Sequence, residues 1–176
     1  MTTHDRLIEL LERSHARFRI IDHPPEGRTE PASVLRRHAL SQAAKCLVVR
    51  VALGRRARRY VLAVVPGDRR LDLDRLSSIY TGTESSFATR EIAERLAGSV
   101  SGSVVPFALH PDLDLVVDPD LLVHKEIFFN AARLDRSVAL ATDDYVSLAG
   151  PRVEVIAQRS LTGAEAAPEA LTRIGN

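Results

Sequence analysis

Gln42-Ala43-Ala44-Lys45-Cys46-Leu47-Val48-Val49-Arg50-Val51-Ala52-Leu53, then Gly54-Arg55-Arg56-Ala57-Arg58-Arg59, then Tyr60-Val61-Leu62-Ala63-Val64-Val65 is the stretch that decides the fold class. Cys46 to Leu53 and Tyr60 to Val65 are apolar and β-branched, and both read as buried strands. The glycine and arginines between them read as a basic hairpin tip. Cys46 opens its strand inside an apolar run and reads as a core residue, since a free cysteine behaves as a small hydrophobe. Lys45 sits where a loop enters that strand, between small and apolar neighbours. It is either a lysine snorkelling at a strand end or an ammonium aimed at a phosphate or carboxyl oxygen in a cleft.

Upstream of the hairpin, residues 3–13 carry Leu7, Ile8, Leu10 and Leu11 on one face, as in an amphipathic helix with Thr2 or Thr3 as cap. Phe18 to Ile21 reads as a short strand, and His23-Pro24-Pro25-Glu26-Gly27 as a loop. Thr29 is placed to cap a helix over 31–38, with Pro31 in its first turn. Downstream, helices are expected over 71–80 and 89–97, the second capped by Thr89 and stopped by Gly98. Strands are expected near 103–109, 113–117, 126–129, 136–141 and 153–156, with a short helix near 142–149. Residues 158–176 read as a tail. The pattern implies one α+β domain over residues 1–157, its short strands curling on themselves with helices outside.

The length of 176 residues suits one domain with a hydrophobic core. No apolar run is long enough to span a bilayer, and Met1-Thr2-Thr3-His4-Asp5 does not open a signal peptide. A single cysteine cannot form an internal disulfide, so a cytoplasmic protein is expected. Residues 1–70 carry 15 Lys+Arg against 7 Asp+Glu, whereas residues 71–176 carry 9 against 16. That asymmetry fits a polyanion-binding face, or vanishes if the two halves interleave in space. Only Lys45 and Lys125 among the 24 basic residues are lysines. A lysine kept in an arginine background is a candidate for a site that needs an amine.

The chain has no P-loop, no dinucleotide fingerprint, no G-x-S-x-G and no H-E-x-x-H. Its six histidines lack metal-ligand spacing, so neither metal nor cofactor is expected. A second segment stands out: Gly102-Ser103-Val104-Val105-Pro106-Phe107-Ala108-Leu109-His110-Pro111. Gly102 permits unusual backbone angles, and Pro106 cannot donate to a strand ladder. The interruption is either a bulge in an edge strand or a set of free backbone groups able to hold a small polar ligand.

Taken in order, these segments resemble the YbaK/ProX family of aminoacyl-tRNA deacylases, which includes the editing domain of bacterial prolyl-tRNA synthetases. The resemblance runs from about Leu7 to Val155. Ala44-Lys45 resembles the family's Gly/Ala-Lys signature, and Gly102 to Pro106 its G-x-x-x-P loop. Phe129-Asn130-Ala131-Ala132 is similar to its F-N-A-G segment. Ala39 to Lys45, Pro106 to Pro111 and Asp143-Asp144-Tyr145 look most like the YeaK-type ProXp-ST subgroup, associated with Ser- and Thr-charged tRNA. Two positions depart from the pattern: Ala132 stands for glycine, as does Ala44. Backbone strain is expected if Ala132 takes a positive φ.

The resemblance implies a mixed, mostly antiparallel sheet curled into a barrel-like core and surrounded by helices. It implies an enzyme that hydrolyses mischarged aminoacyl-tRNA, with Lys45 placing the terminal phosphate or ribose. Gly102, Ser103, Val104, Val105 and Pro106 would hold the amino acid and polarise its carbonyl. His110 and Asn130 would contact or orient the substrate, and the ribose hydroxyl would assist. Glu30, Ser33 and Ser103 are candidate partners for a side-chain hydroxyl. Arg36, Arg37, Arg55, Arg56, Arg58 and Arg59 are candidates for binding tRNA phosphates, or else solvated surface. Aminoacyl-tRNA is the expected partner, with a synthetase as a second. The alternatives are deacylation of Ala-tRNA or Cys-tRNA, a non-catalytic tRNA- or synthetase-binding module, or an unrelated nucleic-acid-binding barrel. The last should show aromatic residues among the basic ones, yet aromatics are 5% and Trp is absent.

Overall fold

A computed structural model describes residues 1–159. The elements run α1 (Thr3–Arg13), β1 (Phe18–Asp22), α2 (Thr29–Arg36), a single 3-10 turn (Leu40–Gln42), β2 (Ala44–Ala52) and β3 (Arg58–Pro66). They continue with α3 (Leu73–Ile79), β4 (Glu84–Phe87), α4 (Arg90–Ala97), β5 (Leu113–Val117) and β6 (Glu126–Arg133). β7 (Arg136–Ala141), α5 (Thr142–Ala149) and β8 (Arg152–Val153) complete the order. Of the tail expected at 158–176, residues 160–176 lie outside the described residues. Residue 158 is anchored, its N–H donating to Arg70 O at 2.7 Å.

The strands form two sheets, ordered β1-β7-β6 and β4-β2-β3-β5-β8. Pairing is antiparallel except for β3 with β5 and β5 with β8. The β2–β3 hairpin runs in register from Ala44 opposite Pro66 to Ala52 opposite Arg58. A parallel bridge between Ala43 and Phe128 ties the two sheets together beside the start of β2. The mixed, mostly antiparallel α+β architecture read from the sequence is therefore the one observed.

β3 explains why its sequence is apolar without alternation. Leu62 and Val64 enter one core with Leu7, Leu11, Phe129, Leu140 and Tyr145. Val61, Ala63 and Val65 enter a second core on the opposite face with Leu71, Leu76, Val116 and Ile156. A strand covered on both faces has no solvent side to alternate with. α1 closes the first core through Leu7 and Leu11, both fully buried. Its first turn is fixed by a capping box in which Thr2 Oγ accepts from Asp5 N at 3.1 Å and Asp5 accepts from Thr2 N at 2.9 Å.

Several elements differ from expectation. Residues 103–109 form no strand; the segment is a loop fastened by side chains. Tyr145 donates to Pro106 O at 2.7 Å, and Phe107 packs edge-on against Phe129 and Tyr145. These contacts replace the ladder that Pro106 breaks. Thr29 is the first helical residue of α2 rather than its cap, and Arg28 takes the cap position without a side-chain bond. β4 was not expected, because Glu84-Ser85-Ser86-Phe87 lacks alternation; it pairs with β2 all the same. β8 is shorter than the expected 153–156 strand. The N–H groups of Ile156 and Ala157 instead donate to the buried carboxylate of Asp118, at 2.9 and 2.8 Å. β6 runs on to Arg133 through a register break after Asn130, where Ala132 has φ +59°. A non-glycine residue there costs about 1–2 kcal/mol. His4 Nδ1 donates to Ala131 O at 2.7 Å and buttresses the break.

Candidate active site

Four segments meet around a cleft of about 400 Å³. Gly27, Arg28, Thr29, Ala32 and Arg36 come from the β1–α2 loop and α2, and Ala44 to Leu47 from the start of β2. Gly102 and Val104 come from the α4–β5 loop, and Phe129 and Asn130 from β6. Lys45, Gly102, Val104 and Asn130, far apart in sequence, thus border one space.

The two loops at its mouth touch backbone to backbone. Gly102 has φ +88° in the turn closed by Ser103 N donating to Val100 O at 3.0 Å, a conformation that favours glycine. A Cβ on Gly102 would lie 2.6 Å from Gly27 Cα and 2.7 Å from Gly27 O. Asn130 fastens this contact from beneath. Its Nδ2 donates to Glu26 O at 2.7 Å and to Gly102 O at 2.9 Å. Its Oδ1 accepts from Arg36 Nη1 at 3.2 Å and from Ser137 Oγ at 2.9 Å. One buried amide therefore sets the separation of the loops. Among the described residues, the N–H groups of Gly102 and Val104 have no protein acceptor.

Lys45 is half-buried, and its Nζ donates to Arg69 O. Burial holds its pKa below the ordinary lysine range, partly offset by Asp68, with Arg70 pushing down. Cys46 borders the cleft, but burial pushes its thiol up, which leaves it protonated and a poor nucleophile. Among the described residues, no histidine or carboxylate borders this cleft.

Other residues singled out in the sequence lie elsewhere. Ser103 is fully buried and donates to Val100 O at 2.8 Å, and Ser33 donates to Thr29 O at 2.8 Å inside α2. Glu30 is exposed and does not border the cleft. Val105 and Pro106 face the core. His110 does not line the cleft either; its Nδ1 accepts from Asp112 N at 3.1 Å. Arg36, expected on an outer phosphate-binding surface, is only 7% exposed and borders the cleft instead. The last turn of α2 packs inward there, onto Asn130 and Ser137. Arg37 is exposed, as are Arg55, Arg56, Arg58 and Arg59 at the tip of the β2–β3 hairpin. At about 3.4 Å per residue, the tip lies about 24 Å along the hairpin from Lys45.

Sequence reasoning missed Gly27 and an adjoining groove, and it placed Arg36 on an outer surface rather than at the cleft. That groove has a volume of about 490 Å³ and shares Cys46, Leu47, Gly102 and Val104 with the cleft. It continues to Phe87, Arg90 and Ala93 on β4 and α4. Phe87 is 56% exposed, an uncommon position for a large aromatic ring.

The chain belongs to the aminoacyl-tRNA editing domain family, whose profile matches residues 23–148. It is 42% identical over 152 residues to the multifunctional Ser/Thr-tRNA deacylase ProXp-y of Escherichia coli K12, covering 86% of this chain and 90% of that protein. The O157:H7 counterpart matches equally. Among solved structures, hypothetical protein APE2540 superposes with a TM-score of 0.78 at 23% identity, over 87% of this chain and 99% of that one. A proposed trans-editing enzyme for prolyl-tRNA synthetase does so with a TM-score of 0.73 at 23% identity, over 90% and 99%.

Proposed function

We propose that the protein hydrolyses the ester of mischarged aminoacyl-tRNA, with Ser-tRNA and Thr-tRNA as its substrates. The observation that carries this reading is the cleft itself: Lys45, Gly102 and Val104 border one space, and among the described residues the N–H groups of Gly102 and Val104 have no protein acceptor. The sequence likeness to a Ser/Thr-tRNA deacylase supplies the substrate class. Lys45 pairs with the terminal phosphate or ribose and positions the ester. The N–H groups donate to the carbonyl oxygen as charge builds on it. Water adds to the carbonyl carbon, the bond to the ribose oxygen breaks, and that oxygen takes a proton. Among the described residues no histidine or carboxylate borders the cleft to act as general base, which favours assistance from the neighbouring ribose hydroxyl. An aminoacyl ester is already activated, so positioning supplies most of the acceleration.

The adjoining groove takes the terminal nucleoside, its base stacking on Phe87. The arginine tip of the hairpin contacts phosphates further along the acceptor stem, so binding weakens as salt rises. On this reading residues 1–157 are one editing domain acting in the cytoplasm, and a synthetase that makes the errors is its second partner. No helix among the described residues is long and apolar enough to cross a membrane.

Single-turnover deacylation of Ser-tRNA by wild type and Lys45→Ala tests the reading. The variant should keep its fold and lose about 10²-fold or more in rate, as expected when a positioning contact is removed. A folded Lys45→Ala with the wild-type rate would remove Lys45 from the mechanism.

A further inference from the structure

Arg36 ends α2 and is more than nine-tenths buried, yet it borders the cleft. A guanidinium carries five N–H donors. Three are engaged: Nε with His38 Nε2 at 2.9 Å, and Nη1 with Asn130 Oδ1 and Ser137 Oγ, each at 3.2 Å. All three acceptors are neutral. His38 donates from Nδ1 to Ala39 O at 2.8 Å, so Nε2 offers its lone pair to the arginine. Among the described residues, no carboxylate forms an ion pair with Arg36 and no acceptor meets Nη2. Nη2 is also not one of the sealed, partnerless side-chain atoms, which are Ser77 Oγ, Ser85 Oγ and Thr142 Oγ1. It therefore keeps some exposure, and Arg36 is among the residues that border the cleft. Burial lowers the guanidinium pKa to about 10, which leaves it charged at neutral pH.

A desolvated cation without a counter-charge is costly, and it interacts most strongly with negative charge brought to it. The substrate's α-ammonium would be repelled. Asn130 joins the guanidinium to Gly102, accepting from Arg36 on one side and donating to Gly102 O on the other. Arg36 therefore lies one side chain from the loop whose Gly102 and Val104 border the same space. Resting on the deacylase reading, we propose that Arg36 is a catalytic residue whose Nη2 donates to the ester carbonyl oxygen as it becomes an oxyanion. When water oxygen bonds to the carbonyl carbon, the π pair moves onto that oxygen and is held by Arg36 and the loop. The pair returns as the carbon–ribose oxygen bond breaks, and the ribose oxygen takes up the proton released by water.

The test is single-turnover kinetics of wild type, Arg36→Lys and Arg36→Gln on Ser-, Thr- and Ala-charged tRNA, with thermal unfolding measured alongside. Arg36→Gln should lower kcat by about 10²–10³-fold for every tRNA that wild type hydrolyses, with KM within about threefold. Arg36→Lys should recover part of that loss, since it keeps the charge without the planar fork. A raised KM at unchanged kcat would make Arg36 a ground-state anchor and overturn the proposal. So would a loss confined to Ser and Thr, which would make it a reader of the side-chain hydroxyl. If the variants unfold, wild type decides. A tetrahedral phosphonate analogue of seryl-adenosine should bind at least about 10²-fold tighter than the planar amide analogue, and equal affinity overturns the proposal. Wild type inactive on every tRNA removes the deacylase reading; wild type active with Arg36→Gln equally fast removes only the role of Arg36.

Discussion

Gly102→Ala puts a methyl group where two backbones already touch. The new Cβ would sit 2.6 Å from Gly27 Cα, 2.7 Å from Gly27 O and 3.0 Å from Gly27 C. Ordinary contact begins at 3.4 Å, so the loops must part by about 0.8 Å, and the obstructing atoms are backbone that cannot rotate away. Alanine at φ +88° adds about 1–2 kcal/mol of strain. Overpacking adds about 1–3 kcal/mol, for a total of about 2–5 kcal/mol. For a chain of this size that lowers Tm by about 5–15 °C. Parting the loops also lengthens the bonds from Asn130 Nδ2 to Glu26 O and Gly102 O, now 2.7 and 2.9 Å. The Gly102 and Val104 N–H groups then shift against Lys45, and a misplacement near 1 Å costs about 10²-fold in rate. The control is Gly150→Ala, at φ +55° with nothing within 4 Å of its Cβ among the described residues, which should lose about 1–2 kcal/mol and no activity. Differential scanning calorimetry and single-turnover deacylation measure both effects. A Gly102→Ala protein as stable and as fast as Gly150→Ala would refute the argument that the loop contact shapes the site.

Asn130→Ala should cost about 2–4 kcal/mol in urea unfolding, because it strips partners from two carbonyls, Arg36 and Ser137 at once. Phe87→Ala should raise KM by about 5–50-fold through lost base stacking. Its kcat and Tm should barely move, because the ring is exposed; an unchanged KM would empty the groove of its proposed role. His38 titrates at about 4 in the folded chain, mainly because burial disfavours its charged form, against an ordinary 6.5. Between those values the unfolded chain binds more protons, so this contribution is complete above about pH 6.5 and fades as pH falls towards 4. The Tm of wild type should therefore climb more steeply over that window than that of His38→Gln; parallel curves would contradict a neutral His38 accepting from Arg36.

What could be read from the sequence follows from where the physics is local. The β2–β3 hairpin was legible because strands buried on both faces leave an unbroken apolar run. Thr89 and Gly98 bounded α4 because a cap is a matter of a few neighbouring residues. Residues 103–109 misled because Val104 and Val105 carry strand propensity, whereas the segment is held by Tyr145 and Phe107 from across the core. β4 was invisible because Glu84-Ser85-Ser86-Phe87 carries no alternation to announce its pairing with β2. At the cleft, Lys45, Gly102 and Asn130 stood out by motif, and the structure gathers them. Gly27 and Arg36 did not, since each matters through a neighbour distant in sequence: Gly102 for the first, Asn130 for the second. Ser103 and Ser33 looked like free hydroxyls, but each is engaged with a carbonyl a turn away.

The most direct measurement is the initial rate at which the wild-type protein empties a panel of tRNAs charged with Ser, Thr, Ala or Cys. The account predicts release of serine and threonine at least about 10³-fold above the uncatalysed rate, with alanine and cysteine slower. Hydrolysis of only Ala-tRNA or Cys-tRNA would contradict the substrate assignment. Binding of all four without hydrolysis of any would contradict the enzyme and leave a tRNA-binding module in its place.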